Sequence, residues 1–211
     1  MVTSTKSINK KAVNSEILAQ SDGLTHISGS TGDDQISGTT GNDVIAGNAG
    51  NDIIAGNAGD DFMLGNRGDD FLLGNRGNDT LHGGRQDDTL YGGQGDDILY
   101  GDDGNDFLSG DSDNDVLYGG EGSDTFYYGG GNPRTASEAG DDVIRDFALN
   151  GATAGDKIQI EGLGSNYDSY AEVMGAAQQT SDGVLFNFDG NRSLLVEGVT
   201  INELTSEYFV F

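Results

Sequence analysis

From Gly29 to Tyr127 the chain keeps a nine-residue period with no insertion or deletion. A fixed period of this kind leaves few options, because each unit is too small to bury a core and must stack on its neighbours. Adjacent units read GNAGNDIIA (Gly47 to Ala55) and GNAGDDFML (Gly56 to Leu64), and a later one reads GGQGDDILY (Gly92 to Tyr100). The first position is Gly in all eleven units. The sixth is Asp in all eleven: Asp34, Asp43, Asp52, Asp61, Asp70, Asp79, Asp88, Asp97, Asp106, Asp115 and Asp124. The eighth is always apolar, running from Ile36 through Ile45, Ile54, Met63, Leu72, Leu81, Leu90, Leu99, Leu108 and Leu117 to Phe126.

Each column predicts a local structure. A Gly-rich hexapeptide reads as a turn, and the three residues after it read as a short strand whose central side chain points inward. Gly at positions one and four is expected to supply backbone angles closed to other residues. Asn48, Asn57, Asn66 and Asn75 at position two suit a left-handed backbone. Two nonapeptides then make one coil, with turns along two edges. Units nine residues apart lie on opposite edges, and residues 18 apart stack at roughly 4.8 Å, giving a roll about 26 Å long. The fold class is therefore all-β, a parallel β-roll.

The aligned aspartates define the chemistry. Gly29 to Tyr127 holds 20 Asp, one Glu and three Arg, a net charge of −18, within a chain whose net charge is −26. Like charges stacked this closely repel, so the arrangement calls for cations. The same balance argues against nucleic acid and anionic membranes as partners. Rows of turn carbonyls plus one carboxylate per turn are the hard oxygen donors that Ca²⁺ takes, six to eight at a time. Zn²⁺ is disfavoured because the turns lack His and Cys, and Mg²⁺ because it demands tight octahedral geometry. An ion between stacked turns leaves at most about nine positions for eleven units in two rows. The competing explanation, Asx-turn capping, would accept Asn or Ser equally well and so does not account for an unbroken Asp column. Asp111-Ser112-Asp113-Asn114-Asp115 opens like an EF-hand, but Val116 stands where Gly is needed and Gly122 where Glu is needed. Gln86 and Asp113 replace the fourth-position Gly, which marks those turns as irregular.

Three segments follow from the period. Residues 1–28 are a polar leader ending in a degenerate unit, with Gly23 and Ile27 in register but Thr25 in the Asp column. Residues 29–127 are the roll. Residues 128–211 are expected to form a β-rich cap over its open end, with strands at Val143 to Phe147, Lys157 to Ile160, Val184 to Phe188 and Ser193 to Val196. A separate small domain is the alternative. The first 20 residues carry Lys6, Lys10 and Lys11 with no apolar run behind them, so no N-terminal signal peptide is expected. No stretch reaches transmembrane length.

The unit Gly92 to Tyr100 matches GGxGxDxUx at every position, as does Gly119 to Tyr127. On these residues the chain resembles the repeat-in-toxin (RTX), hemolysin-type calcium-binding family. The resemblance implies a right-handed parallel β-roll, multiple Ca²⁺ ions at the turns and the eleven Asp as ligands beside turn carbonyls. It also implies extracellular localisation after type I secretion. Asp142 to Phe147 followed by Gly155 to Ile158 looks like the cap that follows such repeats. Glu207-Tyr208-Phe209-Val210-Phe211 resembles the tail read by type I secretion machinery, and it reads equally as a last strand.

No enzymatic function is expected. His26 and His82 are the only histidines, no metalloprotease helix or nucleophile elbow occurs, and His82 reads as a solvated surface residue. The outward Tyr100 and Tyr118 on one face, and Tyr91 and Tyr127 on the other, leave a second functional class open. That class is an accessory module binding extracellular polysaccharide, a detached relative of RTX-bearing enzymes.

Overall fold

The computed structural model describes residues 16–19, 24–129, 140–149, 155–163, 166–188 and 192–211. Strands β1 (Glu16–Ala19), β2 (Thr25–Ser28), β3 (Gln35–Ser37) and β4 (Asp43–Ala49) begin the chain. The repeats continue as β5 (Ile53–Ala58), β6 (Phe62–Arg67), β7 (Phe71–Arg76), β8 (Thr80–Arg85) and β9 (Thr89–Gln94). They end with β10 (Ile98–Asp103), β11 (Phe107–Ser112), β12 (Val116–Glu121) and β13 (Thr125–Gly129). Even-numbered strands from β2 to β12 build one sheet and odd-numbered strands from β3 to β13 the other, all parallel. Register is 18 residues throughout, as in Leu81↔Leu99 and Leu72↔Leu90. This is a parallel β-solenoid, the β-roll expected from the period.

Two expectations need correcting. The strands are six residues long in most units, not three, because positions one to three of the next unit remain paired. The turn proper is positions four to six. Position-one Gly also does not serve backbone freedom, since left-handed angles occur at positions two and four instead. Asn48, Asn57, Asn66 and Asn75 have φ of 78–83°, and Gly59, Gly68 and Gly77 have φ of 115–125°. Gln86 and Asp113 adopt the same left-handed turn (φ 77° and 76°) and carry its strain without Gly. Position one needs Gly for space. A Cβ on Gly74 would lie 2.5 Å from the Gly92 carbonyl oxygen and closer still to the Asp79 carboxylate.

The core is one line of apolar side chains from Ile27 and Ile36 to Phe126, all buried. It passes without a break into the C-terminal segment. There β14 (Asp141–Ile144) sets Ile144 beside Leu117, and β15 (Lys157–Glu161) sets Ile158 beside Phe126. A short helix, α1 (Tyr170–Gly175), buries Val173 and was not anticipated from sequence. The expected strand at Val184 to Phe188 falls in β17 (Gly183–Phe188), which lies between β16 (Ala177–Gln179) and β18 (Arg192–Glu197) in antiparallel pairing. β18 in turn pairs parallel with β14, so the first sheet changes direction at its end. The terminus contributes β19 (Phe209–Val210), paired parallel with β15. At this end Tyr128, Phe186, Phe188 and Phe209 replace the single-file core with a wider aromatic cluster. Among the described residues, no helix is long and apolar enough to cross a membrane.

His82 is half-buried, not a free surface side chain. Its ring stacks on Tyr100 (4.4 Å, 7°) and tilts against Phe62, while Nδ1 lies 3.1 Å from Asp102 Oδ2. Tyr100 stacks in turn on Tyr118 (4.7 Å, 11°). On the other face Phe107 bridges Tyr91 and Tyr127.

Candidate metal centres along the roll edges

All eleven position-six aspartates are buried, none more than 4% exposed. Each sits at the end of a turn, where the chain enters a strand and its side chain points in beneath position-one Gly. One carboxylate oxygen is used for stacking: the Asp34 amide donates to Asp52 Oδ1 (2.8 Å) and the Asp79 amide to Asp97 Oδ1 (2.7 Å). The same bond recurs down both edges to the Asp106 amide on Asp124 Oδ1 (2.9 Å). Thus Oδ1 of Asp52 and every later column aspartate reaches back toward the preceding coil.

The other oxygen is different. Oδ2 of Asp52, Asp61, Asp70, Asp79, Asp88, Asp97, Asp106, Asp115 and Asp124 is buried with no hydrogen-bond donor. A carboxylate oxygen in that state costs free energy unless a cation faces it. Asp34 and Asp43 depart from this pattern, because their Oδ2 atoms accept the Ser30 and Thr39 amides. In these two, the second oxygen bonds an amide four residues upstream instead of standing open.

Around each such oxygen the donors are hard. The point where a Cβ on Gly47 or Gly56 would sit is next to the unit's own Asp Oδ2 and 3.0 Å from the position-one carbonyl of the next coil, Gly65 or Gly74. A side chain would fill this space, and Gly keeps it clear. Among the described residues no three His, Asp or Glu side chains converge on one point. An ion here would draw its remaining ligands from backbone carbonyls and water, as Ca²⁺ does readily.

Electrostatics agree with the geometry. Burial pushes Asp97 up to about 9, Asp88 to about 8, and Asp61, Asp115 and Asp124 to about 7. Asp70, Asp79 and Asp106 rise to about 6, and Asp52 rises as well. The backbone amide bonded to Oδ1 opposes the rise, while neighbouring aspartates add to it. These carboxylates resist ionising until a positive charge arrives.

A second ladder runs outside the first in the opposite sense. At position five the Asn78 amide donates to Asp60 Oδ1 (2.9 Å) and the Asn114 amide to Asp96 Oδ1 (3.0 Å). One edge alternates strictly: Asn42, Asp60, Asn78, Asp96, Asn114, Asp141. Neutral Asn thereby separates exposed like charges.

Two aspartates outside the repeats join the inner ladder. The Asp115 amide donates to Asp142 Oδ1 (3.0 Å), and the Asp124 amide to Asp156 Oδ1 (2.9 Å). Their spacings of 27 and 32 residues break the period. A local signal exists: Gly140-Asp141-Asp142-Val143-Ile144 repeats positions four to eight of a unit.

Fold and edges together define a parallel β-solenoid with buried carboxylates and carbonyls lining two edges. The family description "RTX calcium-binding nonapeptide repeat (4 copies)" matches residues 28–63, 64–99 and 100–134, and the chain belongs to that family. Its repeats are calcium-binding repeats. Two solved structures are similar. One is the AlgE6R3 subunit of the Azotobacter vinelandii mannuronan C5-epimerase, at 29% identity over 64% of this chain and 78% of that one (TM-score 0.44). The other is the extracellular lipase LipA of Serratia marcescens, at 20% identity over 87% of this chain (TM-score 0.39). This chain spans 39% of the lipase. No curated protein matches the sequence.

Proposed function

We propose that this protein is a secreted, non-enzymatic calcium-binding module whose roll folds only as Ca²⁺ enters its edges. The observation that carries the reading is the set of nine buried Oδ2 atoms without a donor. Asp52, Asp61, Asp70, Asp79, Asp88, Asp97, Asp106, Asp115 and Asp124 would supply carboxylate ligands, with carbonyls of the stacked turns completing the shell. Bound Ca²⁺ supplies positive charge that lets adjacent aspartates ionise within one stack. The chain's own part is geometric: Gly at position one clears the space, the backbone amides fix Oδ1, and the position-one carbonyl of the following coil lies beside Oδ2.

The physics suggests a sequence of events for export. Where calcium is scarce, −18 of charge over the repeats opposes compaction, and an extended chain suits passage through a type I exporter. Outside the cell, calcium drives the coil-to-roll transition because only the folded roll presents the sites. The polysaccharide alternative draws no support from Tyr100. Its ring stacks between His82 and Tyr118 and so offers neither face to a sugar ring.

Native mass spectrometry of the purified chain at saturating calcium tests the reading. About nine bound ions are expected, with fewer in Asp97→Asn, which keeps an acceptor for the Asp79 amide but loses the charge. A chain that binds no calcium refutes it.

A further inference from the structure

The eleven repeats alone would place nine cations in the gaps between their own turns, starting with the pairs Asp34/Asp52 and Asp43/Asp61. The geometry points to a different register. We propose that the cation ladder is displaced by one coil toward the C-terminus: the first gap on each edge holds no ion, and one ion on each edge staples the repeats to the segment that follows them. This rests on the calcium-binding reading above.

From Asp52 to Asp124, Oδ1 of each column aspartate is committed to the amide of the coil before it, so Oδ2 is left for the coil after it. The position-one glycines show the same direction: the Oδ2 of Asp52 shares its space with the carbonyl of Gly65, which belongs to the following coil. A cation facing Oδ2 therefore lies between its aspartate and the next one along the edge. For Asp34 and Asp43, Oδ2 already accepts the Ser30 and Thr39 amides, so the first two gaps have no oxygen in need of charge. Of the nine donor-free Oδ2 atoms, seven (Asp52 to Asp106) face a gap closed by another repeat. The last two, on Asp115 and Asp124, face Asp142 and Asp156.

Those two seams repeat two bonds of an interior gap. Within the roll, the Asp79 amide donates to Asp97 Oδ1 and the Ile98 amide donates to the Asp79 carbonyl (2.9 Å). At the first seam the Asp115 amide donates to Asp142 Oδ1 and the Val143 amide to the Asp115 carbonyl (2.9 Å). The outer ladder continues as well, through the Asp141 amide on Asn114 Oδ1 (3.0 Å). At the second seam the Asp124 amide donates to Asp156 Oδ1 and the Lys157 amide to the Asp124 carbonyl (2.7 Å). Asp142 is 3% exposed and Asp156 is 1% exposed, as deeply set as the repeat aspartates. Ser112, on the turn that ends at Asp115, also buries its hydroxyl without a partner. Past Asp156 the second edge ends in a hydrogen bond, because Asp156 Oδ2 accepts the Ala148 amide (2.7 Å). Amide caps thus terminate that edge at both ends, at Asp34 and at Asp156.

Native mass spectrometry of the full chain with calcium alone tests the register, using Asp142→Asn, Asp156→Asn and Asp34→Asn. Asn keeps the Oδ1 acceptor, so a purely structural aspartate would tolerate the change with the ion count intact. Each seam variant is expected to bind one ion fewer than the parent, and Asp34→Asn the same number as the parent. Hydrogen exchange should speed up in residues 140–149 for Asp142→Asn at saturating calcium. Full occupancy in the seam variants, or loss of an ion in Asp34→Asn, overturns the displaced register while leaving calcium binding intact. A parent chain without ions overturns the reading beneath it.

Discussion

Replacing Gly74 with Ala tests whether position one exists to clear space for the neighbouring carboxylate. Gly74 lies in β7 with no left-handed angle to lose, so the substitution isolates packing. The added Cβ falls 2.5 Å from the Gly92 carbonyl oxygen and nearer to Asp79 Oδ2, inside the 3.0 Å that Cβ atoms keep. Gly92 is pinned by sheet pairing and Asp79 by its neighbours, so neither yields freely. Overpacking of this kind costs about 1–3 kcal/mol, and the lost chain entropy of Gly returns about 0.4–1 kcal/mol. The expected net is a loss of about 1–2 kcal/mol, a factor of roughly 5–30 in the folded-to-unfolded ratio. Urea unfolding at fixed saturating calcium, followed by far-ultraviolet circular dichroism, reads this directly. Gly41→Ala is the control, since nothing lies within 4 Å of a Cβ there. The reasoning fails if Gly74→Ala unfolds within about 0.5 kcal/mol of the parent, or if Gly41→Ala loses as much.

Other outcomes follow from the same structure. In chelator, the buried aspartates have folded values of about 6–9 against an ordinary 3.8, so the protonated form favours the roll. Their contribution is fully present below about 4 and is lost as pH rises through 6–9, so metal-free protein should show more β structure at pH 4 than at pH 8 by circular dichroism. The opposite trend would contradict the burial argument. Leu90→Ala removes a fully buried core side chain and should cost about 2–5 kcal/mol in calcium-saturated urea unfolding. Tyr118→Ala removes one ring of a stacked ladder and should cost about 0.5–1.5 kcal/mol beyond its lost burial, without changing the number of bound ions.

The architecture was legible because three columns held their frame over eleven units. Ile27 pairing with Ile45 even extends that frame into the degenerate unit before them. The roles within the frame were less legible. Gly at position one and Gly at position four look alike in sequence, yet one clears space for a carboxylate and the other turns the chain. Strand length was underestimated because Asn66 and Arg67, polar residues beside Gly65, stay paired with Gly84 and Arg85 through backbone bonds that composition does not reveal. Asp34 and Asp43 match the column perfectly, but Ser30 and Thr39 present amides that satisfy their second oxygens. Conversely, Asp142 and Asp156 extend the ladder from sequence that has lost the period. His82 sits in an outward column, and only its aromatic neighbours one coil away, Phe62 and Tyr100, cover it.

Far-ultraviolet circular dichroism of the intact chain at pH 8, first in excess EDTA and then through a calcium titration, bears most directly on the claim that divalent charge between the coils holds them together. A cooperative passage from coil to β spectrum with rising calcium is the predicted result. An unchanged β spectrum in EDTA would show that the stacked aspartates need no cation.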